Sequence, residues 1–204
     1  MALIPAEFDL FFVLCYNAEK GRRRMEPMKG FERKDPYLSL CGLNCKLCSM
    51  ELGGYCGGCG FGNQSCPIAR CSMERNGVEH CVQCSEYPCQ RYESIDMHDS
   101  FITHLHQKRD LEKLQQMGNE RYAAEQMKKR DILDHLLARY NDGRKKTLFC
   151  LAVNLLALDD LKMILKEADK EAGEWPEKER AVYVVNLLQK CADKSGILLK
   201  LRKK

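Results

Sequence analysis

Apolar residues recur at helical spacing through the C-terminal half of the chain. Phe101, Leu105, Leu111 and Leu114 begin a loose stripe that Gly118 interrupts. A second stripe puts Ile132, Leu133, Leu136, Leu137 and Tyr140 on one face, and Asn141-Asp142-Gly143 stops it. The stretch TLFCLAVNLLAL, residues 147–158, is apolar nearly all round and predicts a buried central helix. Asp159 then reads as an N-cap, with Leu158 and Met163 as a hydrophobic staple and Leu161, Ile164, Leu165 and Ala168 at i, i+3, i+4, i+7. A last helix starts near Pro176, buries Ala181, Val184, Val185 and Leu188, and ends by Gly196.

Residues 35–92 break that pattern, with cysteine and glycine in place of apolar stripes. The predicted fold is therefore mainly α: a small Cys-rich, metal-stabilised module with little regular structure over 35–92, then a bundle of about five helices over 93–204. Residues 1–34 form an N-terminal extension, loosely attached up to residue 27. From Met28 the sequence MKGFERKDPYLSLCGLNC makes a compact lead-in to the cysteines.

Composition supports folding: 45% hydrophobic and 30% charged residues in 204 is globular rather than disordered. The net charge of +4 divides as +2 over 1–34, −1 over 35–92 and +3 over 93–204, so no segment carries the basic excess of a nucleic-acid binder. The apolar start MALIPAEFDLFFVLCYN is interrupted by Glu7 and Asp9, and its arginines follow rather than precede it, which makes a poor signal peptide. No apolar stretch reaches the roughly 20 residues of a membrane-crossing helix. The expected location is the cytoplasm, with no membrane partner.

Ten of the 13 cysteines fall in one segment: Cys41, Cys45, Cys48, Cys56, Cys59, Cys66, Cys71, Cys81, Cys84 and Cys89. Cys15, Cys150 and Cys191 stand singly in apolar surroundings and read as small buried hydrophobes. A disulfide framework suits short exported chains, and a reducing cytoplasm opposes one here. Metal ligation explains the spacing better. Cys45/Cys48, Cys56/Cys59 and Cys81/Cys84 are C-x-x-C pairs, and such a turn points two sulfurs at one ion, half of a tetrahedron. Eight thiolates complete two zinc sites and leave two cysteines over, without a pairing that spacing alone assigns. Cysteine tetrads also hold [4Fe–4S] clusters, although the bacterial ferredoxin run is absent and Pro88 precedes Cys89. Cys41-x3-Cys45-x2-Cys48 has the spacing of radical S-adenosylmethionine enzymes, but the strand–helix alternation of their barrel is missing. His80 reads as a surface histidine before it reads as a ligand.

The phrases CGLNCKLC, CGGCG, CPIARC and HCVQCSEYPCQRY resemble the uncharacterised cysteine-rich family catalogued as domain of unknown function 3795, over residues 37–92. The resemblance implies that all ten cysteines, Cys41 through Cys89, act as one metal-binding set, and it carries no particular activity.

Catalytic groupings are missing from the helical half: no phosphate loop, G-x-S-x-G or H-E-x-x-H occurs. His98, His104 and Asp99 read as solvated residues rather than a further metal site, His135 as isolated, and the tail LLKLRKK as solvated. The expected function is a cytoplasmic metal-binding protein with structural zinc and no assigned catalysis. The alternatives are an iron–sulfur protein in electron transfer or redox sensing, and a zinc module that binds nucleic acid or protein. Only Lys46, Arg70 and Arg75 are basic between Cys41 and Cys89, which argues against nucleic acid and leaves another protein as the candidate partner. A thiol exchange enzyme ranks last, since its C-x-x-C belongs in a βαβ setting. If zinc replaces a core in the module, chelation should unfold it and leave the helices largely intact.

Overall fold

A computed structural model of the chain describes residues 26–75 and 77–203. The loosely attached extension expected up to residue 27, and Cys15 as a buried hydrophobe, fall almost wholly outside these residues. The chain is mainly helical, with seven α-helices and no strand among the described residues. Two short helices lie in the Cys-rich part, α1 (Ser49–Leu52) and α2 (Pro67–Glu74). Five follow as the bundle: α3 (Gln107–Met117), α4 (Asn119–Arg139), α5 (Lys146–Leu155), α6 (Leu158–Ala172) and α7 (Glu177–Lys194). No helix among the described residues is long and apolar enough to cross a membrane.

The stripes read from sequence on α4, α6 and α7 are the faces that pack. Leu133 and Tyr140 of the α4 stripe are fully buried, and every residue from Phe149 to Leu156 is buried. Leu161, Ile164 and Ala168 of α6 meet Val184 and Leu188 of α7 in the same core. Each large side chain removed from water there contributes about 1.5–3 kcal/mol. Gly118, at φ +84, separates α3 from α4 in a conformation that side chains with a Cβ disfavour.

Three local expectations are corrected. The α6 N-cap is Ala157 rather than Asp159, and Met163 is 62% exposed, so no staple forms. Starting the helix at Leu158 puts Asp159 and Asp160 in its first turn, where the helix dipole favours carboxylates. Phe101 and Leu105 are exposed, and no helix forms between residues 93 and 106. There, Asp99 Oδ1 accepts from the His104 amide at 2.8 Å and Thr103 Oγ1 from the Leu105 amide at 3.2 Å, so side chains take the amides a helix needs. Within the tail Lys200 and Lys203 are exposed as expected, but Arg202 is held, for its amide and guanidinium both donate to Asp99 at 2.8 and 2.7 Å.

Packing crosses both boundaries drawn from sequence. Met28 and Phe31 are buried with Leu40, Ile68 and Ala69, and the Met28 amide donates to the Gly60 carbonyl at 2.7 Å. Leu38 and Tyr92 are buried with Leu111, Leu114 and Tyr122 of the bundle. Leu47, between two cysteines, sits in the main helical core. Arg130 of α4 donates to the Lys46 carbonyl at 2.9 Å and to Glu51 at 3.2 Å, fastening the same segment from outside.

Candidate metal centre

The ten cysteines form two adjoining groups, with Cys41 next to members of both. Cys71, Cys81, Cys84 and Cys89 line one cavity of about 30 Å³. Cys71 comes from α2, which Pro67 opens as a first-turn residue. Cys81 and Cys84 bracket a single turn in which the Cys84 amide donates to the Cys81 carbonyl at 3.0 Å. The Gln83 side chain caps that turn by accepting from the His80 amide at 3.0 Å. Cys89 begins a further turn, where the Tyr92 amide donates to its carbonyl at 2.8 Å.

The Cys81 thiol is pushed up to about 12, chiefly by burial and also by the neighbouring Cys41, Cys89 and Cys71, against the smaller pull of the Tyr92 hydroxyl. That hydroxyl is buried without a partner in hydrogen-bond geometry and stands against the Cys81 sulfur. At the mouth, Arg75 faces the Cys71 thiol and is itself held by Glu86 through two contacts at 2.6 and 2.8 Å.

The second neighbourhood surrounds Cys45. Burial drives its thiol well above the usual range, and Cys41, Cys59, Cys48 and Cys56 are near enough for their charge to add to the shift. Cys41 is pushed up to about 11, chiefly by burial, against a hydrogen-bond contact of 3.2 Å with the Ser39 hydroxyl, and the thiols of Cys59 and Cys66 are its neighbours. The Gly58 amide donates to Cys56 Sγ at 3.4 Å.

In both neighbourhoods the same physics holds: buried thiols beside other thiols stay protonated unless a cation joins them. A divalent metal reverses that preference and takes thiolates outright. The donor set therefore suits zinc or an iron–sulfur cluster in chemistry. The side chains as placed do not converge, for among the described residues no three or more His, Cys, Asp or Glu stand close enough together to hold an ion. All twelve described cysteines are free thiols.

His80 is fully buried, which corrects the expectation of a surface residue. Arg33 Nη2 donates to its Nδ1 at 3.3 Å, and its Nε2 lies 3.3 Å from Asp35 Oδ2 without hydrogen-bond alignment. It is thus a packed member of a charged cluster that ties the lead-in to the module. Asp99 and His104 are likewise engaged, by Arg202 and by the Ile95 carbonyl at 2.9 Å, and His135 contacts Asp169 at 2.9 Å rather than standing isolated. Cys150 is buried as expected and lies near Cys48, while Cys191 is half-buried. Sequence reading did not place Arg75, Tyr92 and Ser39 against the thiols, because the C-x-x-C spacing says nothing of their contacts.

No family model, no curated protein and no solved structure matches this chain.

Proposed function

We propose that residues 41–89 are a metal-binding module holding two structural zinc ions. Cys71, Cys81, Cys84 and Cys89 hold one; four of Cys41, Cys45, Cys48, Cys56, Cys59 and Cys66 hold the other. The observation that carries this reading is a small cavity shared by four cysteines from one helix and two turns. Metal replaces a core that Gly- and Cys-rich chain does not supply, and structural zinc contributes on the order of 10 kcal/mol of apparent binding free energy. The module acts in the cytoplasm, with another protein as its candidate partner.

A second reading is a [4Fe–4S] cluster at the Cys45 neighbourhood, serving electron transfer or redox sensing. The Gly58 amide aimed at Cys56 Sγ favours it, since amide hydrogen bonds to sulfur tune such clusters.

Elemental analysis and a visible spectrum of protein purified without oxygen separate the two. Colourless protein with about two zinc ions per chain, one of them lost in Cys84→Ser, supports the zinc reading. Brown protein with iron and acid-labile sulfide replaces it with the second. Metal-free folded protein removes both.

A further inference from the structure

On the face of the bundle formed by α3, α4 and the turn from α5 into α6, a cleft of about 650 Å³ opens. That is the size range of small-molecule sites. Its walls carry polar groups at positions where a helix normally buries apolar ones. Asp110 of α3 is 8% exposed, and Lys129 and Gln126 of α4 are 7% and 3% exposed.

The two buried charges share the cleft without pairing. Asp110 Oδ2 accepts from Asn44 Nδ2 at 2.8 Å, and Lys129 Nζ donates to the Leu156 carbonyl at 2.9 Å. Among the described residues neither forms an ion pair within 4.0 Å. An ammonium has three N–H donors, so Lys129 keeps two beyond the one given to Leu156. The Gln126 side-chain oxygen in the same wall is buried with no hydrogen-bond partner.

Three cations of the lining, Arg109, Lys113 and Lys129, stand with Asp110 and Glu125 at the floor, and Asp159 and Asp160 complete the lining at the rim. Arg109 and Lys113 stand close enough to Asp110 and Lys129 to shift both, and Glu125 is taken by Lys113 at 2.5 Å. Arg109 gives one N–H to His106 Nδ1 at 2.7 Å and keeps the rest of its fork. The acids at the rim are engaged outward, Asp159 by Lys162 at 2.9 Å and Asp160 beside Cys191.

Energetics agree with the geometry. Burial lowers Lys129 to about 8 even though Asp110 and Glu125 pull it up, and burial raises Asp110 to about 6 even though Lys129 and Arg109 pull it down. Each charge is under-compensated where it sits, as in sites that await a charged ligand.

We propose that this cleft binds a small organic anion, whose carboxylate or phosphate oxygens are taken by Lys129 and Arg109 while Asp110 accepts a hydrogen bond from a hydroxyl on the same molecule. The site stands apart from the metal reading and needs none of the cysteines. It also lies back to back with the module, because Asn44, the partner of Asp110, immediately precedes Cys45.

The test is isothermal titration of the full chain at pH 7 and low salt, with inorganic phosphate and separately with malate. Saturable binding of either, weakened about tenfold or more by both Lys129→Met and Arg109→Gln and unchanged by Lys162→Gln, is the expected result. Preference for phosphate assigns a phosphorylated ligand, and preference for malate a hydroxycarboxylate. Arg109 is exposed, so its replacement reports on the site even where Lys129→Met fails to fold. Absence of saturable heat with both anions, or binding indifferent to Arg109→Gln, overturns the proposal.

Discussion

Asn44 and Asp110 meet across the join between the Cys-rich segment and the bundle, amide to carboxylate at 2.8 Å, with both residues buried. The other end of the same amide accepts the Tyr122 hydroxyl at 2.9 Å. One side chain thus satisfies two buried groups on two helices. Asn44→Ala leaves a carboxylate and a hydroxyl unpartnered and is expected to cost about 2–4 kcal/mol, and Tyr122→Phe about 1 kcal/mol. Urea unfolding of the two variants checks the order, which reverses if the network is unimportant.

Leu47 makes the same join through packing. It is fully buried in the main helical core, so Leu47→Ala is expected to cost about 2–5 kcal/mol and to lower the melting of the whole bundle. For the same reason, metal removal is expected to lower the helical melting temperature rather than to leave the helices untouched, as a separable module would. Far-ultraviolet circular dichroism melts, with and without chelator, read this directly. Coincident melting curves would instead mean that the segment unfolds alone.

Gly42, within CGLNC, adopts φ +96, and a Cβ there would overlap the Gln107 carbonyl oxygen and crowd Leu111. Both the backbone conformation and the close approach to α3 need glycine. Gly42→Ala is expected to destabilise by about 2 kcal/mol or more, whereas Gly118→Ala, with φ +84 but open space around it, costs about 1–2 kcal/mol. Differential scanning calorimetry of the pair separates contact from conformation.

Asp99 holds the C-terminal segment. Burial alone would raise its pKa, but the Arg202 side chain and amide and the His104 amide together bring it down to about 2, from 3.8. A lowered folded pKa means that the unfolded chain binds the proton more tightly as pH falls. The contribution, roughly 2 kcal/mol, is therefore complete above about pH 4 and lost as pH falls through about 2. Asp99→Asn should remove it at pH 7 and flatten the acid limb of stability between pH 4 and 2. An unchanged acid limb would show that the pair contributes nothing to folding.

The sequence by itself determined the helices whose packing is repetitive. Leu133, Leu136 and Tyr140, or Ala181, Val184 and Leu188, recur with the helical period because one face of each must leave water, and periodicity records that requirement residue by residue. The gathering of ten cysteines was legible too, as spacing within short turns. The chain between 93 and 106 was not legible as irregular, because Asp99 and Thr103 capture amides that the apolar pattern alone would assign to a helix.

Other features were decided only in three dimensions. Tyr122, Gln126, Lys129, Leu133 and Leu136 form one stripe along α4, and the polar members in it were the sequence sign of a cleft that a search for apolar residues passes over. Which cysteines share a cavity depends on contacts between turns distant in sequence, as when the Cys81 amide donates to the Leu40 carbonyl at 2.9 Å. His80 became a buried partner of Arg33, and Leu47 a core residue of the bundle, for the same reason. Local chemistry dictates turns and helical faces, whereas the neighbours of a given side chain follow from how those faces close on each other.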